Sequence, residues 1–274
     1  PAPDVNTNGK IMSWMVDAYE NVVKKSAPGV FTGKPVEFGG SLARTEATGY
    51  GVNFAAVQAL EKLGKDVKGA TYAIQGFGNV GYHTGYYAHQ SGAKVVAVST
   101  VDVAIYNENG LDMEALFKEF QEKGFITNEA GYGKEISNAE LLALDVDVLA
   151  PCALENQLTS ENAGKVRAKI VVEGANGPTT PEADAILRQN GVLVVPDILA
   201  NCGGVVVSYF EWVQNLQGYY WEFDEVQEKE TVVLRRAFRD IWNLAQEYDV
   251  DLRTASYMMS IRRVEKAMKL RGWY

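Results

Sequence analysis

The run Ala73-Ile74-Gln75-Gly76-Phe77-Gly78-Asn79-Val80-Gly81 constrains the fold of this chain more than any other stretch. An apolar, β-prone lead at 71–74 enters Gly-x-Gly-x-x-Gly, and a segment of helical character continues to about Gln90. A strand that feeds a helix through such a turn offers free backbone N–H groups and the positive end of the helix dipole to an anion. Gly76 permits the tight turn, Gly78 lets backbone approach a pyrophosphate, and Gly81 lets helix pack on strand. In a chain with 26 glycines the pattern alone is weak. A second strand at 93–99 makes it a βαβ unit, so a dinucleotide site is expected over a merely structural glycine turn.

Strands of the same kind recur. Residues 147–151, 169–173 and 192–196 are short continuous apolar runs, the mark of parallel strands covered on both faces. Helices fall between strands: one at about 111–123 with Leu111, Ala115, Leu116 and Phe120 on one face, and one that starts at a Thr180 cap with Pro181 at its first position. Residues 105–110 read as a turn. This alternation predicts an α/β fold, a Rossmann-like doubly wound parallel sheet with helices on both faces. Ligands in such sheets bind at the carboxyl ends of strands. There the chain places Pro151-Cys152-Ala153, Gly174-Ala175-Asn176 and the segment 197–201.

Two helices precede the sheet, at about 8–25 with Asn6 or Thr7 as cap and at about 46–63, joined by a glycine-rich loop over 29–45. After Gly203 only helices are expected, at 205–216, 225–248 and 252–270. The division that follows is 1–45 as interdomain helix and loop, 46–202 as the Rossmann dinucleotide-binding domain, and 203–274 as a carboxyl-terminal helical segment packing back toward a further domain. Because the chain starts at Pro1 without an initiating methionine, we expect a fragment.

Charge and cysteine usage narrow the partners. A formal net charge of −9 is the wrong sign for a nucleic-acid partner. With no apolar run of about 18 residues and no signal-peptide pattern, no membrane association and a cytoplasmic setting are expected. Cys152 and Cys202 form no Cys-x-x-Cys pair, and His83 and His89 fall on different faces of one helix, so reduced thiols and no metal site are expected.

Further stretches give a more specific match. They are Pro1-Ala2-Pro3-Asp4-Val5-Asn6-Thr7-Asn8, Gly33-Lys34-Pro35 with Gly39-Gly40-Ser41, Arg44-Thr45-Glu46-Ala47-Thr48-Gly49-Tyr50-Gly51, the glycine loop, Ala175-Asn176-Gly177-Pro178-Thr179-Thr180-Pro181, and Asn201-Cys202-Gly203-Gly204 through Val207-Ser208-Tyr209-Phe210-Glu211-Trp212. Together they span essentially the whole chain and resemble the glutamate dehydrogenase family. The resemblance implies a homohexameric parent enzyme that oxidatively deaminates L-glutamate to 2-oxoglutarate and ammonia, with hydride passing to NAD. It implies that Asp4 is the acid/base carboxylate at the substrate nitrogen, that Ser208 holds a substrate carboxylate with Val205 packed beside it, and that Arg44 stands near that carboxylate. Thr48, Asn176 and Asn201 would surround the nicotinamide ring and ribose, Asn176 also reaching substrate. Phe77, Asn79 and Val80 would contact the dinucleotide from the glycine loop, and Cys152 and Ala153 would line the adenosine side. Without the resemblance Asp4 reads as a helix cap, Arg44 as half of a surface ion pair, and each asparagine as a turn residue.

Two features depart from the family pattern. Its catalytic and substrate lysines lie in an amino-terminal glycine-rich lysine motif that is not found here, and Lys34 has a different context. The chain is therefore expected to bind cofactor without turning over glutamate by itself, and to be a monomer or dimer with an exposed apolar face. The acidic residue that closes the second strand on the adenosine ribose in NAD enzymes is replaced by Thr100, with Asp102 two positions on as a substitute. No arginine or lysine lies between Lys94 and Lys118, so NAD is expected in preference to NADP. A leucine or phenylalanine dehydrogenase shares the architecture and differs around 33–51. A non-catalytic NAD-binding module would not need Asp4, Ser208, Asn176 and Asn201. A structural assembly protein would rest on Trp212, Tyr219, Tyr220 and Trp221, at a density typical of packing.

Overall fold

The computed structural model describes residues 1–4 and 6–273; Val5, from the amino-terminal stretch quoted above, and Tyr274 lie outside the described residues. In chain order the elements are α1 (Gly9–Val23), α2 (Ala47–Lys62), β1 (Thr71–Gln75), α3 (Asn79–Gln90), β2 (Lys94–Ser99), β3 (Ala104–Tyr106), α4 (Met113–Lys123), β4 (Lys134–Ile136), α5 (Asn138–Leu142), β5 (Val148–Pro151), β6 (Ile170–Val172), α6 (Pro181–Gln189), β7 (Leu193–Val195), α7 (Asp197–Ala200), α8 (Gly203–Gln217), α9 (Phe223–Tyr248) and α10 (Leu252–Leu270). Among the described residues no helix is long and apolar enough to cross a membrane.

The strands form one sheet in the order β4-β3-β2-β1-β5-β6-β7. β2, β1, β5, β6 and β7 are parallel, as the continuous apolar runs predict. The structure adds an antiparallel margin: Ala104–Tyr106, overlapping the start of the region read as a turn, pairs with β2 and in turn with β4, so the sheet is mixed. From β1 the chain moves outward through β2, then returns to lay β5 on the other side. The reversal leaves a crevice at the carboxyl ends of β1 and β5, where a doubly wound sheet takes its ligand.

Alternation along the strands loads both faces. Tyr72 and Ile74 of β1 enter a core with Val52 and Leu60 of α2, Leu116 of α4, and Phe238, Ile241, Leu252 and Ala255 of α9 and α10. Ala73 points the other way, into a core with Leu141, Leu158, Ala183 and Leu187. α8, the start of α9 and the entry to α2 meet through Ala43, Ala47, Val207, Phe210 and Val226, which sets the amino end of α8 above the crevice.

The first helix differs from expectation at its cap. Asn8, not Asn6 or Thr7, accepts the Ile11 N–H at 3.1 Å. Thr7 instead closes a turn on Asp4: its Oγ1 accepts the Asp4 N–H at 2.6 Å and donates to the Asp4 carbonyl at 2.8 Å. α8 is tied to the loop after α1 by a fully buried ion pair, Lys34 Nζ to Glu211 at 2.6 Å. Glu211 also accepts the Gly33 N–H at 2.8 Å, so Lys34 serves the fold at this position.

Candidate functional site

The glycine loop divides its labour by backbone geometry. Gly76 has φ 87°, and a Cβ there would lie 2.7 Å from Ala153 Cα. A Cβ on Gly81 would overlap the Gly76 carbonyl oxygen, so α3 reaches β1 only through a glycine. At Gly78 a Cβ would meet nothing within 4 Å: this glycine faces open space at the start of α3. The first N–H groups of a helix have no intrahelical partner, so α3 presents them, with its positive dipole end, into that space.

Two clefts flank this point and share Cys152, Ala153 and Leu154. The first, of about 580 Å³, is lined by Gly76, Phe77, Gly78, Thr100, Asp102 and their neighbours. Thr100 shapes its rim, its Oγ1 accepting the N–H groups of Asp102 at 3.3 Å and Val103 at 3.2 Å, which leaves the Asp102 carboxylate exposed. Gln75 lines the same cleft with Oε1 buried and without a hydrogen-bond partner. No lysine or arginine is among the described lining residues. An exposed carboxylate, an unsatisfied acceptor and no cation suit ribose hydroxyls and not a phosphate.

The second cleft, of about 910 Å³, is lined by Pro1, Ala2, Arg44, Thr48, Val80, Asn176, Asn201, Val205 and Ser208, among others. Arg44 Nε donates to Ser208 Oγ at 2.8 Å, joining residues 164 positions apart. Asn201 Nδ2 donates to Asn176 Oδ1 at 2.7 Å and to the Gly174 carbonyl at 3.3 Å. Gly204 is glycine because a Cβ would strike Thr48 Oγ1, so α8 approaches α2 at the cleft wall. Burial lowers the Arg44 pKa, against the pull of Glu211 and Glu230.

Most of the residues singled out in the sequence converge here. Thr48, Val80, Asn176, Asn201, Arg44, Val205 and Ser208 line one cleft; Gly76, Phe77, Gly78, Thr100 and Asp102 line the other; Cys152 and Ala153 line both. Three stand outside the linings. Gly81 is a packing contact, Asn79 donates to the Thr45 carbonyl at 2.9 Å, and Asp4 sits exposed beside Pro1 and Ala2, which do line the cleft. Burial pushes the Cys152 thiol up to about 12 and the Cys202 thiol to about 11, so neither is a thiolate nucleophile. No metal-binding group of His, Cys, Asp and Glu occurs among the described residues.

A family model described as Glutamate/Leucine/Phenylalanine/Valine dehydrogenase matches residues 39–272. The chain belongs to this family. Among relatives of this dehydrogenase family, an NAD-specific glutamate dehydrogenase of Clostridioides difficile is 54% identical over 279 residues, and a glutamate dehydrogenase of Thermotoga maritima is 52% identical over 275. Both matches take in 100% of this chain and 66% of the relative, so the chain spans just under two thirds of their length. The crystal structure of the Peptoniphilus asaccharolyticus glutamate dehydrogenase superposes with a TM-score of 0.87 at 45% identity, covering 100% of this chain and 65% of that one. A hetero-hexameric glutamate dehydrogenase of Thermus thermophilus in a leucine-bound form gives 0.92 at 34% identity, covering 100% and 64%.

One buried carboxylate behind the cleft wall escaped sequence reasoning. Glu230 of α9 is 1% exposed, with Oε1 lacking any partner, packed where a Cβ on Gly203 would collide with it. Burial raises its pKa to about 8, with Arg44 opposing and Glu46 reinforcing. A raised carboxyl pKa stabilises the fold in its protonated form, and that contribution drains away as pH climbs from the unfolded value near 4.5 through about 8. Glu230→Gln is expected to flatten this loss, raising stability at pH 9 by a few kcal/mol over wild type while leaving pH 4 nearly unchanged. Thermal melts across that range check it; parallel pH profiles for the two proteins would contradict it.

Proposed function

We propose that this chain is the dinucleotide-binding part of a cytoplasmic glutamate dehydrogenase, which oxidatively deaminates L-glutamate to 2-oxoglutarate and ammonia with NAD as acceptor. The observation that carries this reading is the pair of joined clefts at the sheet's switch point, with the α3 amino end between them, Asp102 at one end and the Arg44–Ser208 pair at the other. The names of the relatives support glutamate and NAD. When bound, the dinucleotide supplies the hydride acceptor. Gly76, Gly78 and the first turn of α3 hold its pyrophosphate, with Phe77, Asn79, Val80 and Gly81 shaping that turn. Asp102, with Thr100 behind it, takes the adenosine ribose; Cys152 and Ala153 form the floor; Thr48, Asn176 and Asn201 orient the nicotinamide end. Arg44 and Ser208 hold a substrate carboxylate beside Val205, and Asp4 moves protons at the substrate nitrogen.

Glutamate carries two carboxylates, whereas Arg44 is the one cation among the described lining residues of its cleft. A second cation, and the family's catalytic lysine, must come from outside these 274 residues. The chain alone therefore binds cofactor without turnover, as a monomer or dimer, and the whole enzyme assembles as a hexamer. Fluorescence titrations test the cofactor reading: NADH should bind at least about tenfold more tightly than NADPH, about 1.4 kcal/mol, and Asp102→Asn should erase the difference. Equal affinities in wild type would overturn the NAD assignment. Glutamate-dependent reduction of NAD by the chain alone would overturn the division of the active site.

A further inference from the structure

Behind the nicotinamide end of the cleft, a single side chain from α10 ties three segments together. Arg253 Nε donates to Asp184 of α6 at 2.6 Å, Nη2 to Glu173 at the end of β6 at 2.7 Å, and Nη1 to Asp197 at the start of α7 at 3.4 Å. Glu173 is 0% exposed, and its second oxygen accepts the Asp197 N–H at 2.8 Å. Asp197 Oδ2 in turn accepts the Gly177 N–H at 2.8 Å. These bonds end on the two turns that carry Asn176 and Asn201. Gly177 follows Asn176 directly, the Asn201 N–H closes on the Asp197 carbonyl at 2.9 Å, and the two asparagines are joined at 2.7 Å.

We propose that Arg253 is a positioning residue for the cofactor: through Glu173 and Asp197 it holds the Asn176–Asn201 pair at the nicotinamide end of the cleft. This rests on the reading that the asparagine pair meets the nicotinamide side of a dinucleotide. The three carboxylates sit on three segments, and a planar five-donor fork reaches all of them in fixed directions that the compact ammonium of a lysine does not reproduce. Burial already holds the Glu173 carboxyl above its ordinary pKa with Arg253 beside it. Without the guanidinium a buried unpaired charge is too costly, so the carboxyl takes up a proton or turns toward solvent; its hold on the Asp197 N–H then weakens and α7 loses its anchor. The adenosine cleft shares none of these residues. Loss of Arg253 should therefore act on one end of the ligand only.

NADH and ADP separate the two ends, since ADP carries the adenosine side and lacks both the nicotinamide and its ribose. In the 274-residue chain, Arg253→Met is expected to raise the Kd for NADH about tenfold while changing that for ADP less than about twofold. Arg253→Lys should fall between, and it carries the test where Arg253→Met does not fold. Asp184→Ala, which cuts only the leg to α6, should lower the melting temperature and leave the ratio of the two affinities at the wild-type value. A variant at Arg253 whose NADH to ADP ratio equals that of wild type, whether both weaken or neither does, would overturn the proposal. Wild-type protein that binds both equally tightly would overturn it too, with the dinucleotide reading intact. Wild-type protein that binds neither would bring down that reading and the proposal together.

Discussion

Glu211→Gln is expected to cost about 3–5 kcal/mol of folding stability. The Lys34 and Glu211 side chains are both 0% exposed, and the carboxylate also holds the N–H groups of Gly33 and Lys34. Glutamine keeps the shape and one acceptor but strands the ammonium charge in a dry site, where its remaining partner is the Phe31 carbonyl at 2.8 Å. A domain of this size has about 5–15 kcal/mol in total, so the loss is a large share of it. The double replacement Lys34→Met with Glu211→Gln should recover part of the loss, because it removes the stranded charge while the glutamine oxygen still accepts a backbone N–H. Urea unfolding measures both; a single variant within about 1 kcal/mol of wild type would show that the pair is not buried in solution. The consequence reaches the site, since Glu211 lies one turn from Ser208 on α8.

Gly81→Ala should be of similar severity for a different reason. The added methyl would overlap the Gly76 carbonyl, and both partners are backbone, so no side chain can yield. α3 must shift away from β1, or Gly76 must leave its φ of 87°. Overpacking of this kind costs about 1–3 kcal/mol and occasionally more. The effect should appear as a lowered melting temperature together with weakened NADH binding, because the same turn holds the pyrophosphate. A melting temperature and a NADH affinity both equal to wild type would refute the strand-to-helix contact.

The glycine loop was legible in the sequence because its three glycines answer to three backbone demands, each of which the structure displays. β5 and β6 were legible because strands buried on both faces become unbroken apolar runs, and β7, partly buried at the edge, keeps the same apolar run. β3 and β4 were not: β4 exposes Lys134 and Glu135, and the pairings that make them strands lie in β2 for β3 and in β3 for β4. The Arg44–Ser208 contact spans 164 positions, and only the family resemblance brought the two together beforehand. Glu230 had a local signal that went unused. It stands four residues after Val226 and four before Leu234, both buried, so helical spacing alone puts it on the inner stripe of α9. Arg253 had none, because its partners come from three separate segments.

Gly78→Asp with an NADH titration tests the central claim most directly, because folding and binding should move in opposite directions. Position 78 is the cap of α3, with φ −83° and open space at the Cβ, so aspartate fits and favours the helix by a few tenths of a kcal/mol. The same carboxylate stands where the pyrophosphate must lie and repels it. The account predicts a melting temperature at or above that of wild type with NADH affinity reduced at least about a hundredfold, about 2.7 kcal/mol. A well-folded Gly78→Asp protein that binds NADH as wild type does would contradict it, and would move the dinucleotide away from the switch point of the sheet.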